Sequence, residues 1–307
     1  MSSTTPIERA LVISRRWRES PWFVYGPLLV LFVLILVTGF FLRGQAQIAA
    51  AKGIVQGLAE PLPISSSAHL IITPWIFNWN DPFFQSQTFD VALHMGTLVA
   101  LLGFFWRDWL NLTLHAHQPK SEQGRLFWLL ALASIPGAVF GFVLDTYAEN
   151  YFAERYLVIA VALAVMGVVL YIADHYAPRE YELKDVTWRI ALLIGLSQAL
   201  ALIPGVSRSG STMTMGRALK LQRETAARFS FLMAVPITVG AGVFKLRHLD
   251  TTMMTWPFWL GIAMSTFVGT IAIGFLLRYV RTRSFLPFVI YRIVFAALIV
   301  AIYFTKQ

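Results

Sequence analysis

Residues 56–69 read Gln-Gly-Leu-Ala-Glu-Pro-Leu-Pro-Ile-Ser-Ser-Ser-Ala-His. They interrupt an apolar stretch, 46–77, that is otherwise long enough to be embedded in a membrane. Two prolines end a helix there, because each lacks an N–H and its ring clashes with the preceding turn. A second interruption, Pro204-Gly-Val-Ser-Arg-Ser-Gly-Ser-Thr212, divides the apolar stretch 190–216 in the same way. Lipid offers no hydrogen-bond partners, so broken backbone at membrane depth is tolerated only where protein buries it or a wet cavity receives it. Each interrupted stretch is therefore expected to enter and leave on one face, as a re-entrant helical hairpin.

The rest of the chain agrees with a membrane setting. Of its 307 residues 57% are hydrophobic and 13% charged, against about 25% charged in soluble domains. That leaves too few charges to cover a water-facing surface. Uninterrupted apolar runs lie at 23–42, 86–106, 126–144, 156–173, 229–246, 256–277 and 285–304, each near the ~20 residues a spanning helix needs. The first follows Arg15, Arg16 and Arg18 as a signal peptide would, but it is too long for one and ends in Phe-Phe-Leu-Arg without a cleavage site. It reads as a retained anchor, placing a basic N-terminus with an extra transmembrane helix (1–45) before a membrane domain (46–307). Zero cysteines exclude disulfides and cysteine-ligated metals. The net charge of +9 would suggest nucleic acid in a soluble protein; here the basic residues sit in short loops between apolar runs.

Those loops give a topology. Segments 1–22, 107–125, 174–189, 213–228 and 278–284 carry the Arg and Lys clusters and are assigned to the cytoplasm, whereas 78–85 and 145–155 are poor in them. Arg247 and Lys245 stand against the pattern. The alternation places the N-terminus inside and the C-terminus outside, with the active site probing the exterior. It works only if 46–77 and 190–216 are hairpins.

The two interruptions also match each other. At a shift of 142 residues (53 to 195) Gly53, Gln56 and Ala59 fall on Gly195, Gln198 and Ala201, and Ser65 and Ser67 fall on Ser207 and Ser209. Phe89, Phe104 and Arg107 match Phe229, Phe244 and Arg247 at a shift of 140. The runs 86–106, 126–144 and 156–173 lie between the hairpins, and an odd number of crossings inverts the second relative to the first. The expected fold is all-α: an inverted repeat, about 46–173 and 190–304, whose broken helices build a midplane site.

Chemistry concentrates at the breaks. Gln56 and Glu60 are four apart and share a helix face. An intramembrane carboxylate is functional by default. Ser65, Ser66 and Ser67 stand where the next helix starts, and a helix start attracts anions. His69 follows Ser66 by three. In the second break Ser207, Ser209 and Thr212 surround Arg208, whose planar fork suits a phosphate. The plainer alternatives are serines that only cap helices, a core imidazole at His69, and an Arg208 that snorkels to the interface. Asp90 and His94, four apart, are expected to pair with each other, and Arg292 with a carboxylate in the bundle.

These two segments, Gln56 to His69 and Pro204 to Thr212, resemble the paired motifs of the undecaprenyl-diphosphate phosphatase, or bacitracin-resistance, family. Phe89–Gly96 and Phe285–Arg292 resemble it too. The resemblance covers about 46–304 and implies hydrolysis of a polyprenyl diphosphate in the bacterial inner membrane, recycling the carrier lipid for cell-wall synthesis. It implies Glu60, Ser66, His69 and Arg208 as catalytic residues, with Ser66 the nucleophile and His69 its base, or His69 attacking phosphorus itself. It implies Gln56, Ser65, Ser207, Ser209 and Thr212 at the substrate, and a divalent cation, Mg2+ or Ca2+, on Glu60 and Gln56. Gln56 departs from the family's acidic pattern and removes one carboxylate from that cation. The partners implied are the polyprenyl diphosphate and the membrane, not nucleic acid; a homodimer stays open. The rival reading, a lipid-phosphate flippase, would use Arg208 and the hydroxyls but not the Glu60–Ser66–His69 grouping.

Overall fold

The computed structural model describes residues 22–152, 154–245 and 251–306. Among these residues every regular element is a helix, and the one β feature is an isolated bridge between Tyr181 and Leu221. Helix α1 (Trp22–Phe41) covers the expected anchor and packs on α2 and α11. The basic residues before it lie outside the described residues. The first interrupted stretch forms α2 (Gly44–Ala59) and α3 (Ser66–Phe77), and the second forms α8 (Trp188–Ser197), a 3-10 segment Gln198–Leu202 and α9 (Arg208–Ala218). The long helices are α4 (Gln87–Phe104), α6 (Glu122–Phe152), α7 (Tyr156–Tyr176), α10 (Arg223–Lys245), α11 (Trp256–Thr282) and α12 (Leu286–Thr305). These 6 are long and apolar enough to cross a membrane. The chain is thus a multi-pass membrane protein.

Packing interlocks the two parts of the chain. Helices α2 and α4 pack against α11, late in the sequence, while α8 and α10 pack against α6, early in it; α7 pairs with α12. Without a hydrophobic drive between helices in lipid, close backbone approach supplies the attraction. Gly57 makes this concrete: a Cβ there would fall 2.8 Å from the Ser265 carbonyl oxygen and 2.8 Å from Val268 Cβ. Gly195 brings α8 onto α6 in the same way, where a Cβ would lie 2.9 Å from Ala133 Cα.

Several sequence boundaries need correction. Segment 107–125 contains a helix, α5 (Trp106–Leu114), whose Leu112 is buried against the core. The run 126–144 is not followed by a loop: α6 continues through Asp145 to Phe152. Segment 213–228 is mostly helical, broken by a turn around Lys220 at φ 66°. Two of its arginines are not loop charges at all. Arg217 is fully buried, and Arg223 nearly so. Both bind the buried Asp174 at the end of α7, Arg217 Nε donating at 3.1 Å and Arg223 Nε at 2.6 Å; the backbone N–H of Phe285 donates to the same carboxylate at 3.1 Å. One carboxylate thus joins α7, α9, α10 and the start of α12. Positions 246–250, which include Arg247, lie outside the described residues.

Candidate active site

The two breaks fold back to back. Each begins its second helix with a serine in a left-handed conformation, Ser65 at φ 76° and Ser207 at φ 74°. That region is costly for a residue with a Cβ and persists where surrounding structure holds it. Here side chains do so. Ser65 Oγ accepts from the N–H of Ala68 at 3.4 Å and from that of Gly205 at 3.1 Å; Ser207 Oγ accepts from the N–H of Gly210 at 3.0 Å. Ser65 and Ser67 lie 3.3 Å apart at Oγ, Ser207 and Ser209 3.2 Å. Ser209 Oγ returns a bond to the Leu62 carbonyl at 3.1 Å. Thr212 Oγ1 donates to the Arg208 carbonyl at 2.8 Å and meets Ser230 Oγ at 2.7 Å. The hydroxyls of Ser65, Ser207, Ser209 and Thr212, assigned from sequence to substrate, therefore cap and cross-link the breaks.

Arg292 completes the frame. It is fully buried, and among the described residues no carboxylate meets it, contrary to the sequence expectation. Its guanidinium donates to four backbone carbonyls: Leu163 at 3.1 Å, Pro63 at 3.1 Å, Gly205 at 2.6 Å and Val206 at 3.1 Å. Three of these carbonyls, Pro63, Gly205 and Val206, lie in the two proline breaks, so one cation from α12 satisfies backbone acceptors that both leave without helical partners.

Glu60 sits at the centre, 8% exposed, just past the end of α2. Ser66 Oγ donates to its Oε2 at 2.5 Å, and Gln56 Nε2 to the same oxygen at 3.1 Å. Arg208 pairs with Oε1 from the opposite break. The Arg208 fork also donates to the Ala234 carbonyl at 3.2 Å and Thr238 Oγ1 at 3.1 Å on α10. A small cavity opens over this pair, lined by Glu60, Arg208, Ser209, Thr97, Ser230 and Phe231. Gln56 Oε1 is buried beside the carboxylate and has no hydrogen-bond partner among the described residues.

A family model described as Bacitracin resistance protein BacA matches residues 49–298. The chain belongs to the BacA family. Curated relatives agree. It is 51% identical over 260 residues to the undecaprenyl-diphosphatase of Moorella thermoacetica, covering 84% of this chain and 98% of the relative. It is 49% identical over 260 residues to that of Pelotomaculum thermopropionicum (84% and 97%) and 48% identical over 259 to that of Caldicellulosiruptor bescii (83% and 96%). The BacA match takes in both breaks and Arg292 and leaves α1 outside.

The structure brings some of the residues singled out in the sequence together and leaves others apart. Gln56, Glu60, Ser66 and Arg208 converge. His69 does not reach Ser66: its Nδ1 lies 2.7 Å from the Ser65 carbonyl and its Nε2 2.6 Å from Tyr291 Oη. The hydroxyl partner of Ser66 is Glu60 instead. Asp90 and His94 do not pair through their side chains. His94 Nδ1 donates to the Asp90 backbone carbonyl at 2.8 Å, and its Nε2 stands 3.5 Å from Glu60 Oε2. The Asp90 carboxylate binds Lys52 at 2.6 Å. Lys52, 1% exposed, also donates to the Phe84 carbonyl at 2.5 Å. Lys52 and Tyr291 were not singled out in the sequence, and His94 was expected only to pair with Asp90. Lys52 carried a signal, since Lys52, Gln56 and Glu60 recur every four residues on one face of an apolar helix.

Proposed function

We propose that this protein hydrolyses undecaprenyl diphosphate to the monophosphate and inorganic phosphate, recycling the carrier lipid in the bacterial inner membrane. The observation that carries the reading is the meeting of Ser66, Glu60 and Arg208 from two separate breaks, 148 residues apart in sequence for the charged pair. The undecaprenyl-diphosphatase relatives supply the substrate class. Ser66 Oγ attacks the terminal phosphorus while its proton passes to Glu60 Oε2, which already accepts it at 2.5 Å. The bond from that phosphorus to the bridging oxygen breaks, and lipid monophosphate leaves. Water then cleaves the phosphoserine, releasing inorganic phosphate and restoring the hydroxyl. Arg208 exchanges Glu60 for the phosphoryl oxygens when the diphosphate arrives, so its charge meets the charge that spreads over the transferred group. The first N–H groups of α3 and α9 have no partners within their own helices and add positive potential.

A divalent cation, Mg2+ or Ca2+, fits beside Glu60. The unpartnered Gln56 Oε1 offers a hard oxygen next to the carboxylate. Among the described residues no cluster of three or more His, Cys, Asp and Glu exists. A Mg2+-type site does not need one, since it uses one or two carboxylates and the substrate's phosphates. Glu60 and Gln56 would hold the ion, and bound there it supplies charge neutralisation on the diphosphate.

The same proposal includes the finer architecture. The helix pairs α2–α3 and α8–α9 are re-entrant hairpins of an inverted repeat in 46–307. The extra anchor of 1–45 precedes it, the N-terminus is cytoplasmic and the site opens to the exterior. Matched cap geometry at Ser65 and Ser207, and the crossed packing of α2 on α11 and α8 on α6, support it. The test of function is phosphate release from undecaprenyl diphosphate by purified protein in detergent. Wild type should turn over and Ser66→Ala should not, with diphosphate binding nearly intact. Substantial turnover by Ser66→Ala removes serine from the role.

A further inference from the structure

We propose that Tyr291, acting through His69, is the positioning residue that holds Ser66 on Glu60. The inference rests on the hydrolase reading above and assigns His69 a task other than base or nucleophile.

Hydrogen-bond chemistry fixes the imidazole. The Ser65 carbonyl can only accept, so Nδ1, 2.7 Å away, carries the hydrogen and donates. In the neutral ring Nε2 is then the acceptor, and the Tyr291 hydroxyl donates to it at 2.6 Å. Were the ring cationic, Tyr291 would accept instead. In either state both nitrogens are engaged, and neither faces Ser66 Oγ. The ring itself is buried, stacked on Phe295 at 4.4 Å between centroids with 10° between planes, and beside Tyr291 at 5.6 Å.

What the imidazole holds is the strained residue next to the nucleophile. Ser65 sits at φ 76°, and its carbonyl accepts both from His69 Nδ1 and from the His69 backbone N–H at 3.2 Å. The direction of the Ser65 peptide sets where α3 starts, and so where Ser66 Oγ points. A chain of contacts therefore runs from the Tyr291 hydroxyl through the imidazole and the Ser65 carbonyl to the Ser66–Glu60 hydrogen bond. Tyr291 precedes Arg292, which binds the Pro63 carbonyl at 3.1 Å. Adjacent side chains of α12 thus hold the stretch from Pro63 to Ser65 that leads into α3. A tyrosine serving only as an interfacial aromatic would send its hydroxyl toward water or headgroups, not into a buried imidazole.

The test is steady-state phosphate release from undecaprenyl diphosphate, with melting temperatures in the same detergent, for Tyr291→Phe, His69→Asn, His69→Ala and the double variant Tyr291→Phe/His69→Asn. Losing one neutral hydrogen bond behind the nucleophile should lower the kcat of Tyr291→Phe by about five- to tenfold, with KM and melting temperature near wild type. Asn places an amide N–H where Nδ1–H stands but can neither take a proton nor attack phosphorus. His69→Asn should therefore stay at least about tenfold more active than His69→Ala, and adding Tyr291→Phe to it should cost nothing more. Wild-type kcat in Tyr291→Phe overturns the inference. So does a kcat loss that appears only with a lower melting temperature, or a His69→Asn as inactive as His69→Ala. A wild-type protein that releases no phosphate overturns the hydrolase reading, and this one with it.

Discussion

Arg208→Lys separates a phosphate clamp from a cation that merely balances Glu60. The guanidinium spans two elements. It pairs with Glu60 at the first break and donates to the Ala234 carbonyl at 3.2 Å and Thr238 Oγ1 at 3.1 Å on α10. A lysine ammonium can keep the carboxylate but cannot hold that planar fork. The ground state then loses two hydrogen bonds from a charged donor, at about 1.5–3 kcal/mol each, while the ammonium keeps its charge beside Glu60, so the variant should fold and insert. Turnover should suffer more. Removing a donor aimed at transition-state charge costs about 100- to 1000-fold in kcat. Lysine keeps the charge and loses only the two parallel bonds to phosphoryl oxygens, so the expected loss is at least about tenfold, and greater for Arg208→Ala. The assay is phosphate release from undecaprenyl diphosphate by purified variants whose melting temperatures match wild type. If Arg208→Lys keeps wild-type kcat and KM, the clamp is wrong and Arg208 is structural.

Asp174→Asn should lower the melting temperature in detergent sharply. It leaves Arg217, fully buried, and Arg223 with a neutral partner, and breaking a buried ion pair typically costs about 3–5 kcal/mol; a melting temperature equal to wild type would mean that water already reaches this cluster. Reporter fusions should place the N-terminus in the cytoplasm and the C-terminus outside. Both termini on one side would contradict the proposed orientation and, with it, the opposed hairpins.

Sequence made the breaks legible because their punctuation is strong. Prolines at 61, 63 and 204 cannot continue a helix, and the helices end near them. Glu60 and Arg208 stood out because charge at membrane depth is expensive. Partnership was another matter. Spacing suggests that residues four apart on a helix meet, and Asp90 and His94 obey it only through a backbone carbonyl, because Lys52 from a neighbouring helix offers the carboxylate a full charge. Arg292 was expected to seek a carboxylate. The stronger local demand came from carbonyls orphaned by the breaks, which periodicity cannot reveal. Arg217 and Arg223 looked like loop charges because nothing in their local pattern points to Asp174, 43 residues from the first of them. The apolar run at 126–144 hid the rest of α6, because Asp145, Glu149 and Asn150 interrupt the apolar pattern without ending the helix.

The two breaks match in frame and differ in chemistry, and the difference is what hydrolysis requires. Gln56 and Gln198 correspond, and each leaves a buried amide oxygen without a partner. Ser65 and Ser207 correspond in backbone conformation and in capping. Beyond that frame the 142-residue shift sets Glu60 against Leu202, Ser66 against Arg208 and His69 against Ser211. Two identical breaks would oppose carboxylate to carboxylate, or guanidinium to guanidinium, and like charges at such range disfavour one another. Substitution at these positions instead puts the carboxylate and the hydroxyl on one break and the cation on the other. In the proposed reaction the opposed charges neutralise each other across the contact until a diphosphate takes the arginine, and the carboxylate that it leaves is already bonded to the hydroxyl proposed to attack. Gln198, with no carboxylate beside it, turns its amide N–H to the Ala133 carbonyl at 3.0 Å instead. The second break therefore keeps the frame of the first, and its part in the proposed reaction is Arg208.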